Sequence, residues 1–225
     1  MPHLIVLAKE PRPGLVKTRL AKGLGDLVAA RLFEAFLLDT LEVCRAACRA
    51  SGASLCVSYS PASAADYFQE LAPDALLMPQ PDGDLGARLA AAVEFVWDRG
   101  ADGAVLVGSD LPHLEQADLQ LALDALASAG AVLGPSCDGG YWLLGLSRPA
   151  PGVFEAIDWS TARVLEQTRE RLEREGFEVV ELPTLFDIDD AADLERLRAV
   201  LEHASPERCP RTRSVLSVLD ADPGD

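Results

Sequence analysis

The stretch LIVLAKEPRPGLVKTRLAKGLG, residues 4–25, decides the fold of this chain. It begins with an apolar run, continues through a loop broken by prolines and a glycine, and ends where helical spacing of apolar residues starts. A short apolar run bounded by turn residues is typical of a buried strand. Strands that alternate with helices indicate βαβ units and a parallel sheet. The stretch therefore predicts an α/β sheet whose first strand spans residues 3–8.

The rest of the chain continues this alternation of strand and helix patterns. Strands are predicted at residues 3–8, 53–60, 75–80, 103–110, 131–136, 140–146 and 177–182. Helices are predicted at residues 25–50, 62–71, 84–100, 115–130, 160–175 and 190–203. The alternation predicts one three-layer, Rossmann-like α/β domain over residues 1–204 with a mostly parallel sheet. The proline-containing segment 205–225 is predicted to be an irregular C-terminal tail.

The composition narrows the possible partners of the protein. The chain has 225 residues, of which 49% are hydrophobic, and a formal net charge of −16. A surface this acidic repels polyanions, which argues against nucleic acid and anionic membranes as partners. There is no signal-peptide pattern and no apolar run near the roughly 18 residues of a membrane span. Five cysteines without disulfide-scaffold spacing are expected to be core thiols of a cytoplasmic protein.

Positive charge is concentrated in residues 9–22 although the whole chain is acidic. Five basic residues and one acidic residue, Glu10, give this segment a local charge of +4. The basic residues are Lys9, Arg12, Lys17, Arg19 and Lys22. Pro13 restricts the chain and Gly14 allows close backbone approach, so backbone N–H groups together with Lys17 and Arg19 are predicted to hold a polyphosphate. The spacing is not that of a Walker loop. The alternative is a solvated loop whose charges offset acidic neighbours.

Carboxylates follow two of the predicted strands. Asp110 ends the fourth strand, and Asp187 and Asp189 follow the last one. Because ligands of open α/β sheets bind beyond the carboxyl ends of the strands, we expect these carboxylates to lie near one another. Carboxylate oxygens combined with phosphate oxygens suit Mg²⁺ or Mn²⁺. The structural alternatives are that Asp110 caps the turn at Pro112 and that Asp190 is the N-cap of the last helix.

Two glycine-containing turns add further candidate residues. The turn CDGG spans residues 137–140. We expect it to offer Asp138 to an acceptor molecule or to a nearby ligand. The segment PDGDLGARL spans residues 81–89. We expect it to place Asp84 or Arg88 against a base or a ribose. The structural alternatives are an Asp-Gly hairpin turn for the first and a turn that starts a helix for the second.

Five blocks of the sequence resemble, in order, the signature blocks of one bacterial family. The blocks are AKEPRPGLVKTRL, GSDLPHL, LGPSCDGGYWLLGL, DWSTARVLEQT and LFDIDDAADL. They are similar to the glycosyltransferase-A-like family of radical-SAM/selenodomain-associated transferases, also described as arsenosugar-biosynthesis glycosyltransferases. The resemblance implies the fold of the nucleotide-diphospho-sugar transferase superfamily. It also implies a nucleotide or nucleotide-sugar and a small-molecule acceptor as partners.

The resemblance further implies roles for individual residues. In that superfamily a loop like residues 13–20 holds the nucleotide phosphates, a strand-end aspartate matching Asp110 binds a metal ion, and a later aspartate matching Asp187 completes the site. Asp189 is the alternative to Asp187, and the expected ion is Mg²⁺ or Mn²⁺. With the patterns described above, the expected nucleotide-binding residues are Lys9, Pro13, Gly14, Lys17, Arg19, Asp84 and Arg88. The expected catalytic residues are Lys17, Arg19 and Asp138.

Two transfer chemistries are compatible with this resemblance. Glycosyltransferases of this fold usually show Asp-x-Asp at the metal-binding strand, whereas this chain has a single aspartate, Asp110, in GSDL. The first expectation is a metal-dependent glycosyltransferase with a nucleotide-diphospho-sugar donor. The alternative is a nucleotidyltransferase that moves NMP from an NTP to a phosphorylated small-molecule acceptor. A third possibility, outside the enzymes, is a non-catalytic nucleotide-binding module.

Overall fold

Seven strands form the centre of the fold in the computed structural model, which describes residues 1–221. They are β1 (His3–Lys9), β2 (Ser54–Ser60), β3 (Leu76–Pro79), β4 (Ala104–Gly108), β5 (Gly130–Pro135), β6 (Tyr141–Leu146) and β7 (Glu178–Glu181). Every strand starts and ends within two residues of its predicted range. The agreement is close because each strand is an apolar run bounded by turn-forming residues.

Eight α-helices connect and follow the strands within the described residues. They are α1 (Thr18–Leu24), α2 (Asp26–Ser51), α3 (Ala65–Leu71), α4 (Leu85–Trp97), α5 (Gln116–Ala129), α6 (Val164–Arg174), α7 (Ala191–His203) and α8 (Pro210–Ala221). Short 3₁₀ helices span residues 62–64 and 151–154. Between residues 1 and 221, none of the helices is both long and apolar enough to cross a membrane.

The strands pair in the order β3-β2-β1-β4-β6-β5-β7. β1 lies parallel to β2 on one side and parallel to β4 on the other. β6 runs antiparallel to both β4 and β5, so the sheet is mixed but mostly parallel. Because the chain leaves β1 toward β2 and later returns on the other side of β1 as β4, the loops after β1 and β4 diverge. This divergence opens a crevice at the carboxyl ends of the two strands.

Helices cover both faces of the sheet. On one face, Leu4 and Val6 of β1 pack in a cluster with side chains of α2, α3 and α5. On the other face, Ile5 packs in a cluster with side chains of α4 and α6. Successive residues of a strand point to opposite faces, so a strand covered on both sides is apolar throughout. The predicted three-layer α/β fold with a mostly parallel sheet is confirmed.

The prediction of an irregular tail is wrong for residues 210–221, which form α8. The Asp39 carboxylate of α2 accepts hydrogen bonds from the Thr212 backbone N–H at 2.9 Å and from the Thr212 hydroxyl at 2.7 Å. Leu216 of α8 is buried in a cluster with apolar side chains of α2 and α7. The segment therefore folds because a distant buried carboxylate satisfies its first turn and an apolar face covers it.

The irregular tail was predicted from the prolines of this segment, but a proline is compatible with the first turn of a helix. Pro210 is the first residue of α8, a position where the missing N–H costs nothing and the fixed φ favours the helix. Pro223 belongs to residues 222–225, which lie outside the described part of the chain.

The cysteines are free thiols. Cys44, Cys56 and Cys209 are buried and Cys48 is half-buried, as expected of core thiols. Cys137 is exposed in the turn between β5 and β6, so the expectation of a core thiol is wrong there.

Folding buries the His113 imidazole in its neutral form. The residue is 3% exposed, and its ring stacks on Phe186 with 4.2 Å between the ring centroids. Burial, followed by the charges of Arg208 and Arg196, lowers the pKa of His113 from 6.5 to about 4. Between these two values the unfolded chain binds a proton that the folded protein does not, so the folded state loses stability as the pH falls through this window.

We expect the free energy of unfolding to fall by about 2 kcal/mol between pH 7.5 and pH 5 through His113 alone. Urea unfolding of the wild type and of a His113→Phe variant, which keeps an aromatic ring on Phe186, measures this contribution as the difference between their pH dependences. Identical pH dependences would show that the burial of His113 does not perturb its titration.

Candidate functional site

A cleft of about 640 Å³ opens where the loops after β1 and β4 diverge. Its walls come from the end of β1 and the loop that follows, from the start of α4, and from the end of β4. This is the switch point of the sheet, where open α/β folds bind their ligands. The volume lies within the range of about 300–1,000 Å³ that is typical of small-molecule sites.

The loop between β1 and α1 turns the Lys17 side chain into this cleft. Lys17 precedes α1 with a left-handed backbone, φ 45° and ψ 45°. A residue with a Cβ pays about 1–2 kcal/mol for this conformation, and such strain concentrates at functional sites. The Lys17 side chain is only 6% exposed, and its ammonium lies 5.8 Å from the centroid of the Phe33 ring. The strained backbone of Lys17 therefore directs its ammonium group to the inner end of the cleft.

The Lys17 ammonium bridges two carboxylates from distant parts of the chain. Nζ donates to Asp110 Oδ2 and to Asp189 Oδ1, each at 2.7 Å. Burial alone would lower the pKa of Lys17, but the Asp110 and Asp189 carboxylates raise it above its ordinary value. Lys17 is therefore a fixed positive charge at neutral pH.

Asp187 lies beside this bridge without taking part in it. Burial and then the neighbouring Asp110 carboxylate raise the pKa of Asp187 to about 8, against the opposing effect of the Lys17 ammonium. Asp138 and Asp189 act in the same direction as Asp110. Two carboxylates thus contact the buried ammonium, and the carboxyl group of Asp187 lies close enough to interact with it. This local surplus of acidic groups suits an additional cation.

The donor set fits a divalent cation that arrives with a phosphate ligand. Within residues 1–221, no three acidic, histidine or cysteine side chains are grouped closely enough to hold a metal ion by themselves. Mg²⁺ is usually bound through one or two carboxylates, with waters and substrate phosphates completing its shell. Asp110 with Asp187, or Asp110 with Asp189, supplies two such carboxylates.

The cleft brings together about half of the residues expected from the sequence. Of these, the cleft is lined by Lys9, Lys17, Arg19, Arg88, Asp110 and Asp189. Arg19 is exposed; it pairs with Asp190 and lies 3.9 Å from Asp189. Asp190 is also the N-cap of α7, as the structural alternative predicted. The expected residues outside the lining are Pro13, Gly14, Asp84, Asp138 and Asp187.

Two of the residues outside the lining have local structural roles. The Asp84 side chain accepts a hydrogen bond from the Ala87 N–H at 2.9 Å and caps α4. Asp138 Oδ1 accepts hydrogen bonds from the Ser136 hydroxyl and from the Gly140 N–H, which closes the turn between β5 and β6. For Asp84 the cap is the whole observed role, whereas Asp138 also lies close enough to affect Asp187.

Arg88 lines the cleft and carries a guanidinium nitrogen that is unpaired within the described residues. Its Nε atom is buried and has no hydrogen-bond partner within residues 1–221. A buried donor without a partner is costly, so such groups are usually satisfied by a ligand or water. Arg88 therefore fits a ligand oxygen, and its place at the start of α4 sets it apart from the loop that carries Lys17.

Sequence reasoning missed the apolar and neutral residues of the cleft. Leu15 and Leu85 line the cleft although they are 66% and 46% exposed. Phe33, Gln80 and Ser109 also line it. The signal for Leu15 was a large apolar residue inside an otherwise basic and turn-rich loop. Gln80 and Phe33 carried no local signal, because their position at the cleft follows from strand order and helix packing.

Several solved structures are similar to this chain over most of its length, and three of them represent the range of sequence identity. The protein named "putative nucleotide-diphospho-sugar transferase" from Desulfovibrio desulfuricans G20 is 34% identical with a TM-score of 0.89, and the match covers 98% of this chain and 95% of that one. Rv0371c from Mycobacterium tuberculosis H37Rv, in complex with manganese, is 22% identical with a TM-score of 0.53 and coverages of 90% and 99%. CMP:2-keto-3-deoxy-manno-octonic acid synthetase, complexed with CTP, is 12% identical with a TM-score of 0.53 and coverages of 89% and 98%. The last two share the fold.

A family profile matches the central part of the chain. It is described as "Uncharacterized protein conserved in bacteria (DUF2064)" and matches residues 41–161, more than half of the sequence. The matched region contains Arg88, Asp110 and Asp138, and it lies between Lys17 and Asp187. No curated protein matches the chain. The protein belongs to the DUF2064 family.

Proposed function

We propose that the protein is a metal-dependent glycosyltransferase that binds a nucleotide-diphospho-sugar in the cleft and transfers the sugar to a small-molecule acceptor. The observation that carries this proposal is the buried Lys17 ammonium, held between Asp110 and Asp189 at the inner end of the cleft. A fixed cation beside carboxylates suits a diphosphate that binds with a divalent ion. The name of the 34% identical protein supports this donor class, as does the resemblance to the radical-SAM/selenodomain-associated transferases.

In this proposal the basic side chains of the cleft bind the diphosphate. Lys17 and Arg19 come from the loop after β1 and the start of α1, Lys9 from the end of β1, and Arg88 from α4. Together they provide a local excess of positive charge in a chain whose net charge is −16. As the bond to the sugar breaks, negative charge grows on the departing nucleoside diphosphate, and Lys17 and Arg19 stabilise it.

The acidic side chains have two tasks in this proposal. Asp110 and Asp187 hold Mg²⁺ or Mn²⁺, with Asp189 as the alternative to Asp187. When bound, the ion supplies Lewis-acid stabilisation of the diphosphate oxygens. Asp138 accepts the proton of the acceptor hydroxyl as that oxygen bonds to the anomeric carbon. Its second carboxylate oxygen is available for this, since both hydrogen bonds within residues 1–221 go to Oδ1.

Nucleotidyl transfer is the second candidate, and a specific observation favours it. Asp110 is the single aspartate at the end of β4, where the glycosyltransferases of this fold usually carry Asp-x-Asp. In this reaction a phosphorylated acceptor attacks the α-phosphate of an NTP and pyrophosphate leaves. Lys17 and Arg19 then stabilise charge on the departing pyrophosphate. The fold is shared with the CMP:2-keto-3-deoxy-manno-octonic acid synthetase complexed with CTP.

A thermal-shift screen distinguishes the two reactions. The panel contains NDP-sugars, NDPs and NTPs, each with Mg²⁺, with Mn²⁺ and with EDTA. A ligand present at 100 times its Kd stabilises the folded state by about 2.7 kcal/mol, or about 5–10 °C for a protein of this size. We expect the largest metal-dependent shift with one NDP-sugar, above the shifts of its NDP and the matching NTP.

The other outcomes assign the alternatives. A shift with one NTP and none with sugar nucleotides favours nucleotidyl transfer. Binding without product formation under either metal and with a panel of acceptors points to a non-catalytic nucleotide-binding module. The absence of any shift contradicts nucleotide binding in the cleft.

A further inference from the structure

The loop that carries Asp110 has no regular structure of its own. Residues 109–115 join β4 to α5 outside any helix or strand. Residues 111–114 of this loop are buried. The loop also places backbone carbonyl groups in the interior, where each needs a donor. Something outside the loop must therefore hold it.

The donors come from the segment that precedes α8. The Cys209 thiol donates to the Pro112 carbonyl at 2.7 Å, and the Arg208 guanidinium donates to the His113 carbonyl. Arg208 Nη1 also pairs with Glu115 Oε1 at 2.7 Å. Burial raises the pKa of Cys209 to about 12, so the thiol keeps the proton that it donates. Two consecutive residues thus hold three positions of the Asp110 loop, the last of which is Glu115.

This holding segment is itself anchored to the rest of the fold. Arg213 of α8 donates from Nε to the Arg208 carbonyl at 2.9 Å and from Nη2 to the Leu201 carbonyl of α7 at 2.6 Å. The buried Asp39 of α2 accepts the hydrogen bonds of Thr212 described above. The backbone around Arg208 is therefore fixed to α7 and α2. Because its backbone is fixed, the Arg208 side chain can hold the Asp110 loop in one position.

We propose that Arg208 is a positioning residue for the metal-dependent half of the site, an inference that rests on the proposed function. The link runs through the backbone of Asp110, whose carbonyl accepts a hydrogen bond from the Ile188 N–H at 3.2 Å. Ile188 lies between Asp187 and Asp189 in the sequence. The position of the Asp110 loop therefore determines the distances from the Asp110 carboxylate to the carboxyl groups of Asp187 and Asp189. The basic wall of the cleft, with Lys9 and Arg88, belongs to other elements and does not depend on Arg208.

The test compares Arg208→Met, Arg208→Lys and the control Arg198→Met. Arg198 of α7 is a matched control because its side chain is 26% exposed against 25% for Arg208 and it also pairs with carboxylates, Asp220 and Glu195. The first measurement is hydrogen exchange of the Ile188 amide without any ligand. The second is the affinity for the nucleotide chosen by the thermal-shift screen, with Mn²⁺ and with EDTA.

We expect Ile188 exchange in Arg208→Met to be faster by about tenfold or more, because the loop that accepts its hydrogen bond is released. The Mn²⁺-dependent affinity should fall by about 10–100-fold, as is typical when the groups supporting a metal site are lost. The affinity in EDTA should change by less than about twofold, because Lys9 and Arg88 are unaffected and Lys17 keeps its ion pair with Asp189. Arg208→Lys should recover much of the loss, because an ammonium can still donate to the His113 carbonyl, and Arg198→Met should behave as the wild type.

Two results overturn the proposal. Unchanged hydrogen exchange of the Ile188 amide in Arg208→Met shows that Arg208 does not hold the loop, regardless of the nucleotide affinities. Equal losses of affinity with Mn²⁺ and with EDTA, together with a lower melting temperature, show a general structural role. If the wild type binds no nucleotide under any condition, the proposed function fails, and the Ile188 measurement still decides whether Arg208 positions the loop.

Discussion

Replacing Asp110 by Asn is expected to lower metal-dependent transfer by about 10³-fold while leaving the protein folded. The charge stabilisation that a bound metal supplies is worth several kcal/mol, and each 1.36 kcal/mol is about tenfold in rate. The amide oxygen of the introduced side chain can still accept the hydrogen bond that Lys17 Nζ makes with Asp110 Oδ2 at 2.7 Å. Steady-state kinetics with Mg²⁺ or Mn²⁺, together with the melting temperature, measure the two effects separately.

The control for this variant is Asp124→Asn. Asp124 is an exposed carboxylate on α5, outside the cleft, so its replacement removes the same charge without touching the site. We expect its rate to stay close to that of the wild type. Activity of the Asp110→Asn variant near the wild-type level would show that Asp110 does not bind the catalytic metal ion.

Replacing Lys17 by Met is expected to change two affinities in opposite directions. Nucleotide affinity should fall by about 10–100-fold for diphosphates and triphosphates and much less for the nucleoside, because a charge-assisted hydrogen bond contributes about 1.5–3 kcal/mol. Mn²⁺ affinity without nucleotide should rise by about tenfold, because Asp110 and Asp189 lose the ammonium that lies 2.7 Å from each of them. Calorimetry and the paramagnetic signal of free Mn²⁺ measure both.

Lys9→Met controls for the lost charge. Lys9 lines the same cleft but has no carboxylate partner among residues 1–221, so removing it takes one positive charge from the same wall without freeing a carboxylate. We expect its Mn²⁺ affinity to stay within about twofold of the wild type. A Lys17→Met variant with unchanged Mn²⁺ affinity would contradict the view that the ammonium competes with a metal ion. Equal losses of affinity for nucleoside and triphosphate would show that Lys17 does not contact the phosphates.

Local pattern was enough to predict the elements of the sheet and the loop that carries the positive charge. The apolar run before Lys9 and the run before Asp110 each identified a buried strand that ends in polar residues. Asp190 was also predictable as a helix cap, because a capping residue acts on the amides that follow it in sequence. Asp84 shows the limit of the helix-cap pattern, because an aspartate before a helix has the same sequence pattern whether it caps the helix or contacts a ribose.

The pairing of charges was beyond sequence reasoning. Lys17 bonds to Asp189, 172 positions away, and not to Asp187. A strand-end segment such as FDIDD presents several aspartates within a few residues, and small differences of backbone direction decide which carboxylate reaches the cleft. Arg208 and α8 were missed for a related reason, because the acceptors of their hydrogen bonds belong to the Asp110 loop and to α2.

By itself the sequence determined the α/β class, the order of strands and helices along the chain, and the concentration of positive charge after β1, since periodicity, turn residues and charge act over neighbouring positions. The tertiary structure decided which strands are neighbours, which carboxylates meet Lys17, and whether the last segment folds. These outcomes depend on contacts between residues far apart in the chain. Such contacts form only when the sheet has brought the residues together, so a local sequence pattern does not predict them.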